Sequence, residues 1–344
     1  MQRIGTIAEL EESLSEPTPG LVQGMKSIPG DILILGAGGK MGPSLARMAR
    51  RAADAADPAG DRRRIIAVSR FSDPASLRGL KDAGVETVSC DLMDTGAVSR
   101  LPDAPNVVYM AGTKFGTTGA EAMTWAQNAY LPGLVCARYR KSRITAFSSG
   151  NVYPFSSPSS GGSVETDTPG PRGEYAWSVL GRERVMQYFS ERDGTPVLLL
   201  RLNYSCELRY GVIVDIAKRI HDGVPVGVDM GWFNVIWQRD ANAVALQSLS
   251  QAQSPAAILN ITGPEVLSVR DVATELGRRL GKPVTFTGRE ASDALLNNSA
   301  KAFALFGKPL TGIPVMMDLI ADWVSHGGAS IGKPTHFDSR DGKF

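Results

Sequence analysis

Gly36, Gly39 and Gly42 stand at three-residue intervals in the run Asp31-Ile-Leu-Ile-Leu-Gly-Ala-Gly-Gly-Lys-Met-Gly42. Four apolar residues lead into this turn, and a helical stretch, Pro43 to Arg51, leads out of it. A glycine turn between a strand and a helix offers backbone N–H groups and the helix N-terminus to a pyrophosphate. The first glycine permits the tight turn, the next lets phosphate approach, and the last lets helix and strand pack closely. Gly36, Gly39, Lys40, Met41 and Gly42 are therefore candidate dinucleotide contacts. Two related motifs are excluded by Met41. It stands where G-x-G-x-x-G needs its third glycine, and it follows Gly39-Lys40 where a Walker A loop needs Ser or Thr. The alternative is a plain strand-to-helix turn.

The elements that must carry this turn alternate. Strands are expected at Arg64–Ser69, Val85–Ser89, Asn106–Ala111, Arg143–Ser148 and Pro196–Arg201, with helices at 120–141 and 175–191. Strands separated by helices predict a doubly wound parallel α/β sheet, and burial on both faces explains their continuous apolar runs. Residues 1–30 read as an N-terminal extension, a short acidic helix followed by a Pro/Gly linker. Residues 31–203 read as the dinucleotide-binding domain, and 204–344 as a smaller C-terminal α+β substrate lobe and tail. The second strand also bears on cofactor choice. An acidic residue at its end would accept from the ribose 2′-OH of NAD, whereas this strand ends Ser69-Arg70, a hydroxyl and a guanidinium suited to a 2′-phosphate. NADP is thus expected over NAD.

Composition narrows the class further. The chain has 344 residues, 43% of them hydrophobic and 21% charged, with a formal net charge of +2. These are ordinary globular values that imply no nucleic-acid partner. Cys90, Cys136 and Cys206 are isolated, which fits neither a disulfide framework nor a metal site and suits a reducing cytoplasm. The three histidines have no ligand spacing. No apolar run reaches membrane-spanning length, and Glu9, Glu11, Glu12 and Glu16 argue against a signal peptide. Ser330 sits in a formal G-x-S-x-G, but without a flanking strand and helix it is not a hydrolase elbow.

Several motifs together resemble the extended short-chain dehydrogenase/reductases, the NAD(P)-dependent sugar epimerases and dehydratases, over residues 31–325. Gly36, Gly39 and Gly42 match the family's glycine motif. Asp91, in Cys90-Asp-Leu-Met-Asp94, matches an acidic residue that contacts adenine, beside Leu92. Met110-Ala-Gly-Thr-Lys114 resembles the stretch after strand four that lines the cofactor, which implicates Ala111, Gly112 and Lys114. Asn128 looks like the family's helix asparagine, a residue that more often supports the fold than the chemistry. Phe147-Ser-Ser-Gly-Asn-Val-Tyr153 is similar to the strand-five signature. The resemblance implies Ser149 and Tyr175 as the catalytic pair, with Tyr175 also beside the cofactor and Ser149 and Asn151 facing substrate. Asn260 to Ser268 resembles a C-lobe motif. Asn203 is near a substrate-contacting asparagine, one position out of register. Arg209 and Asn234 are candidates for contact with an acidic or hydroxylated substrate, or else solvated surface positions. The implied fold is Rossmann-type, the implied partner a small-molecule sugar, sugar nucleotide or polyol. The family's helices also pair into a homodimer, for which Leu134, Val135, Val185 and Met186 supply apolar residues.

The chain departs from the family at one position. The catalytic helix pattern Tyr-x-x-x-Lys reads Tyr175-Ala-Trp-Ser-Val179. The lysine would favour the tyrosinate and hold the nicotinamide ribose, and valine supplies neither charge nor donor. Lys114, after strand four, is one substitute cation. Arg182, two helical turns beyond Tyr175, is another, though it reads as a surface arginine. The expected activity is an NAD(P)-dependent epimerase, dehydratase or reductase. The alternative is a cofactor-binding sensor or scaffold with little redox catalysis.

Overall fold

The computed structural model describes residues 3–58 and 63–342. Its centre is a seven-stranded parallel sheet. β1 (Ile32–Leu35), β2 (Ile65–Ser69), β3 (Glu86–Ser89), β4 (Asn106–Tyr109), β5 (Arg143–Ser149), β6 (Val197–Leu202) and β7 (Ala257–Ile261) lie in the order β7-β6-β5-β4-β1-β2-β3. The order reverses beside β1, and the carboxyl edge at such a switch point is where ligands bind in open α/β sheets. The first six strands follow the apolar runs of the sequence. β7 does not: it rejoins the sheet from within the segment that the sequence reading placed in the smaller lobe, and pairs with β6.

The helices are α1 (Ile7–Leu14), α2 (Pro19–Met25), α3 (Gly42–Ala56), α4 (Pro74–Asp82), α5 (Thr95–Ser99), α6 (Glu121–Trp125), α7 (Leu131–Arg138), α8 (Gly173–Asp193), α9 (Val212–His221), α10 (Gln238–Gln247), α11 (Val269–Leu280), α12 (Ala300–Phe306) and α13 (Ile313–Ser325). The expected 120–141 helix is interrupted by a π-helical turn, Ala126–Tyr130, that links α6 to α7 and carries Asn128. Helices α9, α11 and α13 build a second core around Ile213, Ile216, Leu276 and Ile320.

The N-terminal extension joins the two cores. Thr6 and Glu9 close a capping box on α1, and Thr18 caps α2, whose first residue is Pro19. The expected linker is thus partly helix. Leu10 and Leu14 enter the core of the C-terminal lobe, whereas Leu21 and Met25 enter the core beside the sheet. Ion pairs fix the clasp: Glu11 with Arg209 at 2.7 Å, Glu12 with Arg51 at 2.8 Å, Glu16 with Arg239 at 3.1 Å, and Arg3 with Asp322 at 3.1 Å. Among the described residues no helix is long and apolar enough to cross a membrane.

Candidate active site

The glycine turn sits at the carboxyl end of β1. The Gly36 and Ala37 N–H groups both donate to Val68 O, so the turn is anchored to β2. Gly36 has φ +89, and a Cβ there would overlap the backbone of Ala111. A Cβ on Gly42 would overlap the Ala37 carbonyl. Gly39 differs, because its nearest neighbour to such a Cβ is Gly36 O at 3.4 Å and its open side faces the cavity. Helix α3 begins here with no side-chain cap and no acidic residue in its first turn, leaving its N–H groups for a ligand. These features fit a dinucleotide pyrophosphate.

The turn forms one wall of a cavity of about 420 Å³. Gly36, Gly39, Lys40 and Met41 line it with Ala111, Gly112, Lys114 and Asn128. Tyr175 and Arg182 close it on the side of α8. The cavity also takes in Phe115 and Lys333, which the sequence reading missed. Lys333 belongs to the C-terminal tail, and nothing local in the sequence marks it. Tyr210 was missed as well: it meets Phe115 edge to face, and the Lys40 ammonium rests 3.4 Å from its ring centroid. Burial and the neighbouring Lys114 and Lys333 lower the Lys40 ammonium to about 7. Burial lowers Lys114 to about 8, against the attraction of Asp215.

Ser149 ends β5 and Tyr175 begins the buried face of α8, and their hydroxyls are hydrogen-bonded to each other. Ser149 Oγ also accepts from the Asn151 backbone at 3.2 Å and from its side-chain amide at 3.0 Å. Tyr175 packs on Val152, Tyr153, Val179 and Leu180. Burial raises its pKa, and both the bond to Ser149 and the charge of Arg182 oppose that rise. The structure therefore brings Ser149, Asn151 and Tyr175 together beside the glycine turn.

Arg182 is not a surface residue: only 6% of it is exposed. Its Nε donates to Asn128 O at 3.2 Å, Nη1 to Phe147 O at 2.6 Å and Nη2 to Asn128 Oδ1 at 2.9 Å. Asn128 Oδ1 also accepts from Thr113 N–H, while its Nδ2 donates to Thr113 O and Ser178 Oγ. Asn128 thus ties the strand-four loop to α8. The adjacent Glu183 turns the other way and pairs with buried Arg201 at 2.7 Å.

The remaining candidates lie apart from this wall. Ser69 closes against Gly38, where a Cβ would overlap its hydroxyl, and Arg70 is exposed just beyond β2. Asp91 is exposed and accepts from Met93 N–H at 3.0 Å, while Leu92 is buried. Asn203 and Asn234, offered above as substrate contacts, are buried in a network that consumes their amides. Asn203 Nδ2 donates to Asn234 Oδ1 at 2.7 Å, and Asn234 Nδ2 to Asn297 O at 2.6 Å. Arg209 is neither solvated nor in the cavity, because Glu11 and Glu207 hold it in the N-terminal clasp. Beside Asn151 the cleft narrows to a cavity of about 20 Å³, bounded by the tail residues His336, Ser339 and Gly342.

The fold that carries these residues has known counterparts. The model of the NAD dependent epimerase/dehydratase family matches residues 32–228. No curated protein sequence matches the chain. Among solved structures, MoeE5 in complex with UDP-glucose and NAD is similar at TM-score 0.68 and 19% identity, over 87% of this chain and 99% of that one. A UDP-glucose 4-epimerase with UDP-glucose from Thermotoga maritima is similar at TM-score 0.69 and 16% identity, over 86% and 99%. A UDP-glucuronic acid 4-epimerase from Bacillus cereus in complex with NAD is similar at TM-score 0.68 and 16% identity, over 86% and 99%. At these identities the likeness is one of fold.

Proposed function

The chain belongs to the NAD dependent epimerase/dehydratase family, and from that premise we propose that it oxidises a hydroxyl of a sugar or sugar nucleotide, with Ser149 and Tyr175 as its acid–base pair. The observation that carries this reading is the Ser149–Tyr175 hydrogen bond at the wall of the cavity headed by Gly36–Gly42. A hydroxyl pair has little use in a protein that merely holds a dinucleotide. When bound, the nicotinamide accepts and returns a hydride. Tyr175 takes the proton from the substrate hydroxyl, and Ser149 donates to the oxygen on which charge develops. Asn151 orients Ser149. Lys40 and the N–H groups of α3 meet the pyrophosphate.

Arg70 carries a preference for NADP: it is exposed at the end of β2 and makes no hydrogen bond or ion pair among the described residues. The setting is the cytoplasm, supported by three free, buried cysteines. The working unit is a homodimer, supported by the exposed Met123, Trp125, Tyr130, Trp177 and Tyr188 on the adjoining α6–α7 segment and α8. Val135 and Met186, expected above to serve such an interface, are fully buried within the protomer.

One observation favours a second reading, a dinucleotide-binding sensor: Val179 leaves the catalytic helix without its lysine. Nicotinamide absorbance during incubation with a panel of sugars and sugar nucleotides separates the two. Binding itself is tested by calorimetry with NADH and NADPH. Gly39→Asp points a carboxylate into the cavity and weakens binding of both by about a hundredfold or more, a charge effect expected of close like charges. Arg70→Ala weakens NADPH alone, by roughly tenfold to a hundredfold. Undiminished affinity in a folded Gly39→Asp protein would remove the basis of the assignment.

A further inference from the structure

Two buried arginines, Arg182 on α8 and Arg201 on the adjacent β6, differ in one respect. Arg201 has a carboxylate partner in Glu183. Arg182 forms no ion pair among the described residues; its three bonds go to neutral oxygens of Asn128 and Phe147. A buried charge is retained only where something compensates it. Three of its five N–H groups are used, so two remain, and the side chain lines the cavity. Gly112 makes room for it: φ there is +155, and a Cβ would overlap Nη2. Val179, meanwhile, is fully packed against Val152, Tyr153 and Leu180.

We propose that Arg182 is the cation of this active site, replacing the absent helix lysine by stabilising the Tyr175 phenolate and offering its free N–H groups to oxygens of the bound dinucleotide. This rests on the dinucleotide reading above. The other charged and titratable groups near Tyr175 are Lys114, whose Nζ is 5.8 Å from the Tyr175 ring centroid, Tyr153, on which Tyr175 packs, and Tyr210. Lys40 and Lys333 stand elsewhere on the cavity wall. Burial lowers Lys114 to about 8, whereas a guanidinium keeps its charge at any pH a protein meets. Arg182 also lies on the same helix as the hydroxyl it acts on, two turns away, so rigid backbone sets their relation.

The test is a tyrosinate absorbance titration of the ligand-free protein, with Tyr175→Phe and Tyr204→Phe subtracted to isolate single groups. With Arg182 as its cation, Tyr175 is expected to ionise before Tyr204 in the native protein. Tyr204 also has Lys114 near, at 6.0 Å from its ring centroid, and burial raises its pKa. Arg182→Gln moves the Tyr175 titration alkaline by about one pH unit or more. Arg182→Lys largely keeps it, and Val179→Lys added to Arg182→Gln brings it back. A Tyr175 titration unmoved by Arg182→Gln, or moved instead by Lys114→Met, overturns the proposal. Should Arg182→Gln fail to fold, the native order decides, and Tyr204 ionising first overturns it. NADH calorimetry on the same proteins keeps the two readings apart. Absence of binding in the native protein defeats the dinucleotide assignment, whereas intact binding with an unmoved titration defeats only the role of Arg182.

Discussion

Lys40 is positioned as both an anion ligand and a proton reservoir. Its ammonium stands on Tyr210 and near Phe115, and burial brings its pKa to about 7. A bound pyrophosphate favours the charged form, so binding above that pH takes up a proton. NADH affinity then falls as pH rises from about 7, by up to about tenfold per unit, until the bound-state pKa is passed. Calorimetry across that range checks this, and Lys40→Met flattens the profile while weakening binding at its acid end. At this scale the sequence was legible where a role follows from chain neighbours: the glycine turn is such a case, since three glycines at two local spacings dictate its geometry. Arg182 was read as surface because a helical arginine is solvated by default. Its burial depends on Gly112 and Asn128, far along the chain, and on Glu183 choosing Arg201. Asn203 and Asn234 failed as substrate contacts for the same reason, their partners being each other and the 295–297 loop.

At the scale of elements, β5, α8 and β6 form one polar joint beneath the cavity. Glu183 accepts from Arg201, and Ser148 donates to Glu183. Tyr153 OH accepts from Arg201 and donates to Asn260. Glu183→Ala leaves the Arg201 charge buried and uncompensated, at a cost of about 3–5 kcal/mol. Thermal or denaturant unfolding measures it, with Tyr175 and Ser149 chemically intact. The strands of this layer were legible as continuous apolar runs. β7 was not, because Ala257–Ile261 is short and follows an irregular stretch, and its membership is decided by β6 rather than by its own pattern. The π-turn at Ala126–Tyr130 was not legible, because its one extra residue shifts the helical pattern by about 100° and breaks the periodicity of a short segment.

For the whole molecule, the α6–α8 face gathers several exposed large apolar side chains, Met123, Trp125, Tyr130, Trp177 and Tyr188. Large apolar patches on a soluble protein mark interaction sites, and a two-fold pair is the commonest solution. Trp177, 50% exposed on α8, is the probe. If the chain pairs through this face as proposed, Trp177→Glu puts a charge into the pairing and yields a monomer by light scattering at micromolar concentration, against a dimer for the native chain. An unchanged mass places the interface elsewhere or removes it. The N-terminal clasp was legible only as an accessory segment. Its composition shows an acidic helix, but the arginines that receive Glu11, Glu12 and Glu16 are scattered over α3, α10 and the lobe.

The clasp also imposes an order on assembly. Arg3 and Asp322 meet although 319 positions separate them. Leu10 and Leu14 belong to the core that α9, α11 and α13 build, and those helices leave the ribosome far later. At roughly 5–20 residues per second, α1 waits on the order of 10–60 s with its apolar side open. Loop-closure entropy grows only with the logarithm of separation, so this delay is a hazard of timing, with little effect on final stability. α2 packs on α3 as well as on the later α10, so its α3 side can dock once the first strands exist. It tethers α1 near its destination, so the nascent chain closes over a short linker instead of searching across three hundred residues.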